Sequence, residues 1–170
     1  MKKIMEMLQN MKAKNEKKDN KGFSLVELII VIAIMAILVG IVGTQVLPYI
    51  NKSKEAKDFQ IINSYGTAAT TAYSSNAENV KTDITFKVYA PGSDTTAVTL
   101  SDEIKELTGY ATIEDLAGSE SKTGKMASKK GKTIAEIQVS IDLTHKKITT
   151  QAYSDAACSK KVFDAIVTEL

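Results

Sequence analysis

Between Leu28 and Asn51 the chain carries no charged side chain, and Leu28 to Gly43 is apolar throughout. At about 1.5 Å of rise per residue, some twenty helical residues cross the hydrocarbon core of a bilayer, so this run is long enough to span. It is too long for the hydrophobic region of an ordinary signal peptide, and no small-x-small cleavage site follows it. No cysteine stands where a lipoprotein signal needs one. Residues 1–22 carry seven lysines against Glu6, Glu16 and Asp19, and the rest of the chain is slightly acidic. The lysine-rich leader should stay cytoplasmic, which places the C-terminal part outside.

Glu27 immediately precedes this run, five residues in from Gly22, and two physical readings of it stand side by side. A carboxylate at the centre of a membrane helix costs about 2.5–3.5 kcal/mol, and less near the headgroups. If residues 1–22 stay attached, Glu27 is an interfacial residue of a plain anchor. If the chain is cut before Phe23, a new α-amino group lies one helical turn away. The carboxylate could then pair with that ammonium, or with a neighbouring chain's. Composition does not choose between the two.

The string Gly22-Phe23-Ser24-Leu25-Val26-Glu27, with a basic leader before it and an apolar helix after it, resembles a type IV prepilin. The resemblance implies cleavage after Gly22 by a prepilin peptidase and N-methylation of Phe23. It implies that Glu27 pairs with the Phe23 amine of a neighbouring subunit as a homo-oligomeric helical filament grows from an assembly platform in the membrane. It further implies a location in the cytoplasmic membrane, with a single pass, before assembly into an extracellular pilus on the cell surface. The leader is longer than those of many Gram-negative pilins. Cys158 is the only cysteine, so the paired cysteines that close a C-terminal loop in most of those proteins are absent. Both features look more like a Gram-positive, clostridial major pilin. A free thiol near the C-terminus is expected to be buried.

From Val46 on, past Pro48, apolar or small residues recur at Val46, Ile50, Ala56, Phe59, Ile62, Gly66, Ala69 and Tyr73, mostly three or four apart. That spacing makes one helical stripe. Lys52, Lys54, Glu55, Lys57, Asp58, Gln60 and Asn63 fit a solvated flank. A single helix of roughly fifty residues would be about 75 Å long if continuous. Pro48 removes a ladder hydrogen bond, and Gly40 and Gly43 weaken the helix locally. Membrane helices tolerate such residues. The pilin resemblance suggests instead that the Gly40–Pro48 segment melts on assembly.

Four parts are therefore expected: a cleaved leader over 1–22, a hydrophobic half-helix over 23–47, an amphipathic half over 48–75, and a globular head over 76–170. In the head, Ile84–Ala90 reads as a strand ending at Pro91-Gly92. Ser101 to Gly109 reads as a short helix with Ser101 as N-cap. Between Lys132 and Thr144, Ala135, Ile137, Val139, Ile141 and Leu143 alternate with polar residues, which makes a strand with one dry face. Ile148–Ser154 can pair antiparallel with it. The spacing of Val162, Phe163, Ile166 and Leu170 predicts a terminal helix, with a strand through Lys161–Val167 as the alternative. The predicted fold is α+β, a type IV pilin fold with a long N-terminal helix packed on a small antiparallel β-sheet.

No constellation for catalysis stands out, and no cofactor, metal or small-molecule substrate is expected. "GSESKTGK" lacks the spacing of a phosphate loop and has Met126 where a hydroxyl is required. Lys122, Lys125, Lys129, Lys130 and Lys132 make a basic loop without interleaved aromatics, so nucleic acid is not an expected partner. His145 stands alone in a turn. The expected role is a structural subunit of a type IV pilus used for adhesion, motility or aggregation. The alternatives are a pseudopilin of a type II secretion or DNA-uptake system, and a membrane-anchored extracellular domain that keeps its leader.

Overall fold

The computed structural model describes residues 5, 6 and 24–170. These divide into two units, one ending at Leu47 and one running from Pro48 to Leu170. Helical backbone extends without a break from Leu25 to Ser75, 51 residues. It comprises α1 (Leu25–Ile41), a π-helical turn (Val42–Val46) and α2 (Leu47–Ser75). The first unit has no buried residue in α1 or in the π turn.

In the second unit, β1 (Ile84–Lys87), β2 (Glu136–Asp142), β3 (Lys147–Tyr153) and β4 (Ile166–Glu169) form one antiparallel sheet in the order β1-β2-β3-β4. The registers set rows of residues on one face. Phe86 pairs with Val139, Val139 with Thr150, and Thr150 with Ile166. The next row is Ile84, Ile141, Ile148 and Thr168. Because strand side chains alternate, these rows share the dry face. They form a single core with Ile62, Tyr65, Ala68, Ala69 and Ala72 of α2. On the opposite face, Thr85 and Ser140 pair directly across the strands, hydroxyl to hydroxyl, at 2.9 Å. The architecture is α+β, a long N-terminal helix with a small antiparallel four-stranded sheet, as the type IV pilin fold requires.

Several elements differ from the sequence reading. The C-terminal segment is strand β4, not a helix. Ile166 and Thr168 point at α2, where Thr168 Oγ1 lies 3.0 Å from Thr70 Oγ1, and period-two burial replaces the period-3.6 pattern. The head helix α3 covers Thr95–Thr108 and starts six residues before Ser101. Its N-cap is Asp94, whose Oδ1 accepts from Thr96 N–H at 2.8 Å and Ala97 N–H at 3.1 Å. Ser101 is buried mid-helix, in line with Ala97, Leu100 and Ile104. Gly109 ends the helix with φ +76°, in the left-handed region that glycine enters without penalty. Asp58, expected in solvent, is fully buried, as are Tyr65, Ala68 and Ala72 of the same helix, while Val46, Ile50 and Ala56 are exposed. Cys158 is half-buried in a turn with φ +57°, not in the core.

The glycines of the phosphate-loop look-alike have a packing role. After the short helix α4 (Ile113–Leu116), Gly118 and Gly124 cross so closely that a Cβ on Gly124 would lie 2.2 Å from Gly118 N. That crossing shapes the start of the basic loop. Lys122 pairs with Asp115, and this bond, followed by those from Thr112, holds the Asp115 carboxyl below the usual range. Lys130 sits 4.8 Å over the Phe163 ring.

Candidate assembly site on the N-terminal helix

Of the residues singled out by sequence, Gly22 and Phe23 lie outside the described residues, as does the expected leader apart from residues 5 and 6. Glu27 stands in the first turn of α1. Its Oε2 accepts from the backbone N–H of Ser24 at 2.8 Å. This satisfies one of the donors that a helix N-terminus leaves without an intrahelical partner. A carboxylate in the first turn also complements the positive end of the helix dipole. Ser24 is the N-cap, with extended backbone angles. The sequence reading gave Ser24 no role of its own, although Ser-x-x-Glu before an apolar run is the pattern of a capping box.

Only one oxygen of Glu27 takes the Ser24 bond, and the side chain is exposed. A carboxylate can accept several hydrogen bonds, so Oε1 keeps its capacity for a cationic donor. Leucine, isoleucine, valine, methionine and alanine surround the rest of α1 and stand open, with Leu25, Ile37 and Val39 each more than 60% exposed. A helix that is apolar all round has no polar side to give to water. This one is long and apolar enough to cross a membrane.

The π turn ends at Val46, two positions before Pro48. Proline has no N–H, and in a regular α-helix its ring crowds the carbonyl four residues back, here that of Thr44. Widening the helix by one residue relieves that conflict, and Leu47 N–H accordingly reaches back to Val42 O, five residues away. Thr44 Oγ1 donates to Gly40 O at 3.0 Å. A Cβ built on Gly40 or Gly43 meets nothing within 4 Å, so within this chain neither position needs glycine for space.

Among the described residues, no group of three or more His, Cys, Asp or Glu side chains could hold a metal ion. His145 closes the β2–β3 turn, its N–H and Nδ1 each 2.8 Å from an Asp142 carboxylate oxygen. The backbone bond, then the ring, keep the Asp142 carboxyl below its ordinary range.

Residues 17–43 match the family model described as the prokaryotic N-terminal methylation motif. Comparison with curated proteins and with solved structures found no match. The motif indicates a protein of the type IV pilin or pseudopilin class, processed as a prepilin. It points to a structural protein, processed by prepilin peptidase and assembled into pilus-like filaments, not to an enzyme. The apolar helix and the motif together fit membrane anchoring before assembly into an extracellular filament.

Proposed function

We propose that the chain is the structural subunit of a type IV pilus of the kind found in Gram-positive bacteria. The carrying observation is Glu27, a carboxylate in the first turn of an otherwise apolar, fully exposed helix, inside a matched methylation motif. On this reading residues 1–22 are the cytoplasmic leader, and the peptidase cuts after Gly22. Phe23 becomes the methylated N-terminus. Residues 23–47 form the membrane and filament-core half of the helix, 48–75 its amphipathic half, and 76–170 the head.

Lipid penalises Glu27 unless a partner satisfies it. The open Oε1 supports pairing with the Phe23 ammonium of a neighbouring subunit, which would set the axial register as subunits leave the membrane. The π turn and Gly40, Gly43 and Pro48 support a segment that unwinds cheaply during that transfer. The lone Cys158 and the long leader favour the Gram-positive type, with adhesion, motility or aggregation as the filament's use.

Intact mass of the chain in material sheared from the cell surface, set against the membrane fraction, tests the reading. A chain starting at Phe23 with one added methyl, abundant in the sheared fraction, supports a pilus subunit. The same processed chain confined to the membrane supports a pseudopilin instead. A chain that retains its leader in both fractions would overturn both.

A further inference from the structure

The basic loop lies against the first part of α2. Its Ala127 and Ser128 N–H groups both donate to the Asp58 carboxylate, each at 2.8 Å. On one side of that anchor, Lys125 lines a hollow together with Lys57, Gln60 and Ile61. On the other side, Lys130 lines a second hollow with Glu55, Ala56 and Phe59. The loop therefore straddles the helix, and Lys125, Lys129 and Lys130 are all exposed on it. Lys52, Lys54 and Lys57 stand exposed on α2 itself. No ion pair among the described residues involves any of these six lysines. The acidic groups beside them are fewer. Glu55 is half-buried, Asp58 is buried and bonded to the loop, and Asp164 is exposed in the second hollow with Lys130.

Position selects the partner. The run without charged side chains ends at Asn51, and Tyr49, 77% exposed, stands close to that end. Tyrosine favours the headgroup level of a bilayer. Lys52 and Lys54 follow Tyr49 directly, and Asp58 lies nine positions after it, at most about 14 Å along the helix. The headgroup layer is itself about 5–8 Å thick. Attraction between charges reaches about 8 Å further at physiological ionic strength. Lysines at the level of Asp58 are within that reach. A polybasic segment beside a membrane span is drawn to anionic headgroups in this way. Nucleic acid fits less well, because the loop has no aromatic side chain on which a base could stack.

We propose that the α2 lysines and the loop lysines together form a collar that binds the anionic phospholipid headgroups around the membrane-anchored chain. The buried Asp58 carboxylate fixes the loop through backbone bonds, which leaves the lysine charges themselves free for lipid phosphate. The collar keeps the loop at the bilayer surface before assembly, and a subunit that leaves the membrane must break these contacts. This rests on the membrane-anchoring part of the filament reading and adds what the head touches there.

The test uses full-length chain reconstituted into vesicles of phosphatidylcholine alone, or of an equal mixture with phosphatidylglycerol. Acetic anhydride, an uncharged reagent, labels the lysines, and mass spectrometry gives the rate at each. Lys125, Lys129 and Lys130 should react about threefold more slowly in the anionic vesicles, and salt at about 0.5 M should abolish the difference. Lys81, beside Asn76 at the far end of α2, is the control and should react equally in both. Mild detergent extraction of the mixed vesicles should leave an excess of phosphatidylglycerol on the chain. Lys125→Gln with Lys129→Gln and Lys130→Gln should remove about half of that excess. Equal rates at the loop lysines, equal slowing at Lys81, or unchanged lipid selectivity in the triple variant would overturn the collar. Protection of the same lysines by a DNA duplex but not by phosphatidylglycerol would overturn it in favour of nucleic acid. Failure of the anchoring reading looks different, because the chain would then float with neither kind of vesicle, and the collar would fall with it.

Discussion

Ser128 Oγ donates to Asp58 Oδ2 at 2.5 Å, joining two residues seventy positions apart in the chain. The same carboxylate accepts Ser128 N–H and Ala127 N–H, each at 2.8 Å, while Ser128 Oγ accepts from Gly131 N–H at 2.8 Å. A helix carboxylate thus organises the basic loop as a charged cap, with the bonds held out of water. A Cβ on Gly131 would come within 2.3 Å of Asp58 Oδ2, so glycine is what lets the loop close over the carboxylate.

Asp58→Asn should therefore be costly despite its similar shape. One amide oxygen cannot accept what two carboxylate oxygens accept, and the new NH₂ faces donors. Leaving such buried donors without partners costs about 2–4 kcal/mol. Thermal unfolding of the purified chain in detergent, followed by circular dichroism, should show a large fall in Tm. Lys57→Asn, one position away and exposed, is the control and should shift it little. Equal Tm values for the two variants would remove the cap from the account.

Gly66 sits in α2 where a Cβ would meet Ile166 Cγ2 at 2.8 Å. Alanine there gains about 1 kcal/mol of helix propensity, but the overlap forces Ile166 to rotate or β4 to shift. Gly66→Ala should destabilise by about 1–3 kcal/mol with Ile166 present. In an Ile166→Ala background, the same change should be neutral or stabilising. A double-mutant cycle measures this change of sign, and additive effects would argue against the contact.

Gly40→Ala and Gly43→Ala should have the opposite character. Neither added methyl group meets anything in this chain, and each replacement should strengthen the helix by about 0.8–1 kcal/mol. If the segment unwinds during assembly, stiffening it should reduce the chain in the sheared fraction while hydrogen exchange over residues 38–48 slows. Slower exchange with unchanged polymer would mean that unwinding is not required.

The apolar helix, the placement of Glu27 and the β2–β3 hairpin were legible because each is written in neighbouring residues. The alternation from Ala135 to Leu143 fixes a dry face without reference to the rest of the chain. Asp58 was not legible, since its partners lie in a distant loop and the stretch before it, Lys52 to Lys57, is mostly charged. Val162, Phe163 and Ile166 fit helical spacing as well as a strand. The choice falls to β4 because β3 offers a free edge and α2 a glycine at position 66. Ser101 looked like a cap because it precedes two acids, yet Asp94 supplies the cap and Ser101 lies on the core stripe. Long-range partners decided each of these cases, and local pattern does not carry them.

Tyr65 and Tyr89 give the head a limit at high pH. Their hydroxyls lie 2.5 Å apart, Tyr89 Oη reaches Tyr110 O at 3.5 Å, and the Tyr65 and Tyr110 rings stack at 6.2 Å. Burial, and then the neighbouring Tyr89, push the Tyr65 hydroxyl far above its ordinary range. Burial pushes Tyr89 up to about 12, against the opposing effect of its bond to Tyr65. In the unfolded chain both ionise near pH 10, so above that pH the unfolded state releases protons that the folded head retains. The stability carried by their neutral forms is complete below pH 10 and is lost as pH rises through 12. Tyrosinate absorbance and circular dichroism should consequently change together as the head unfolds in this window. Tyr65→Phe should cost about 1 kcal/mol at pH 7, where one hydroxyl bond is gone. It should also flatten the fall in stability between pH 10 and 12, because the more strongly shifted of the two groups no longer titrates. A Tyr65→Phe chain with the same alkaline slope as the unmodified one would show that the pair does not set this limit.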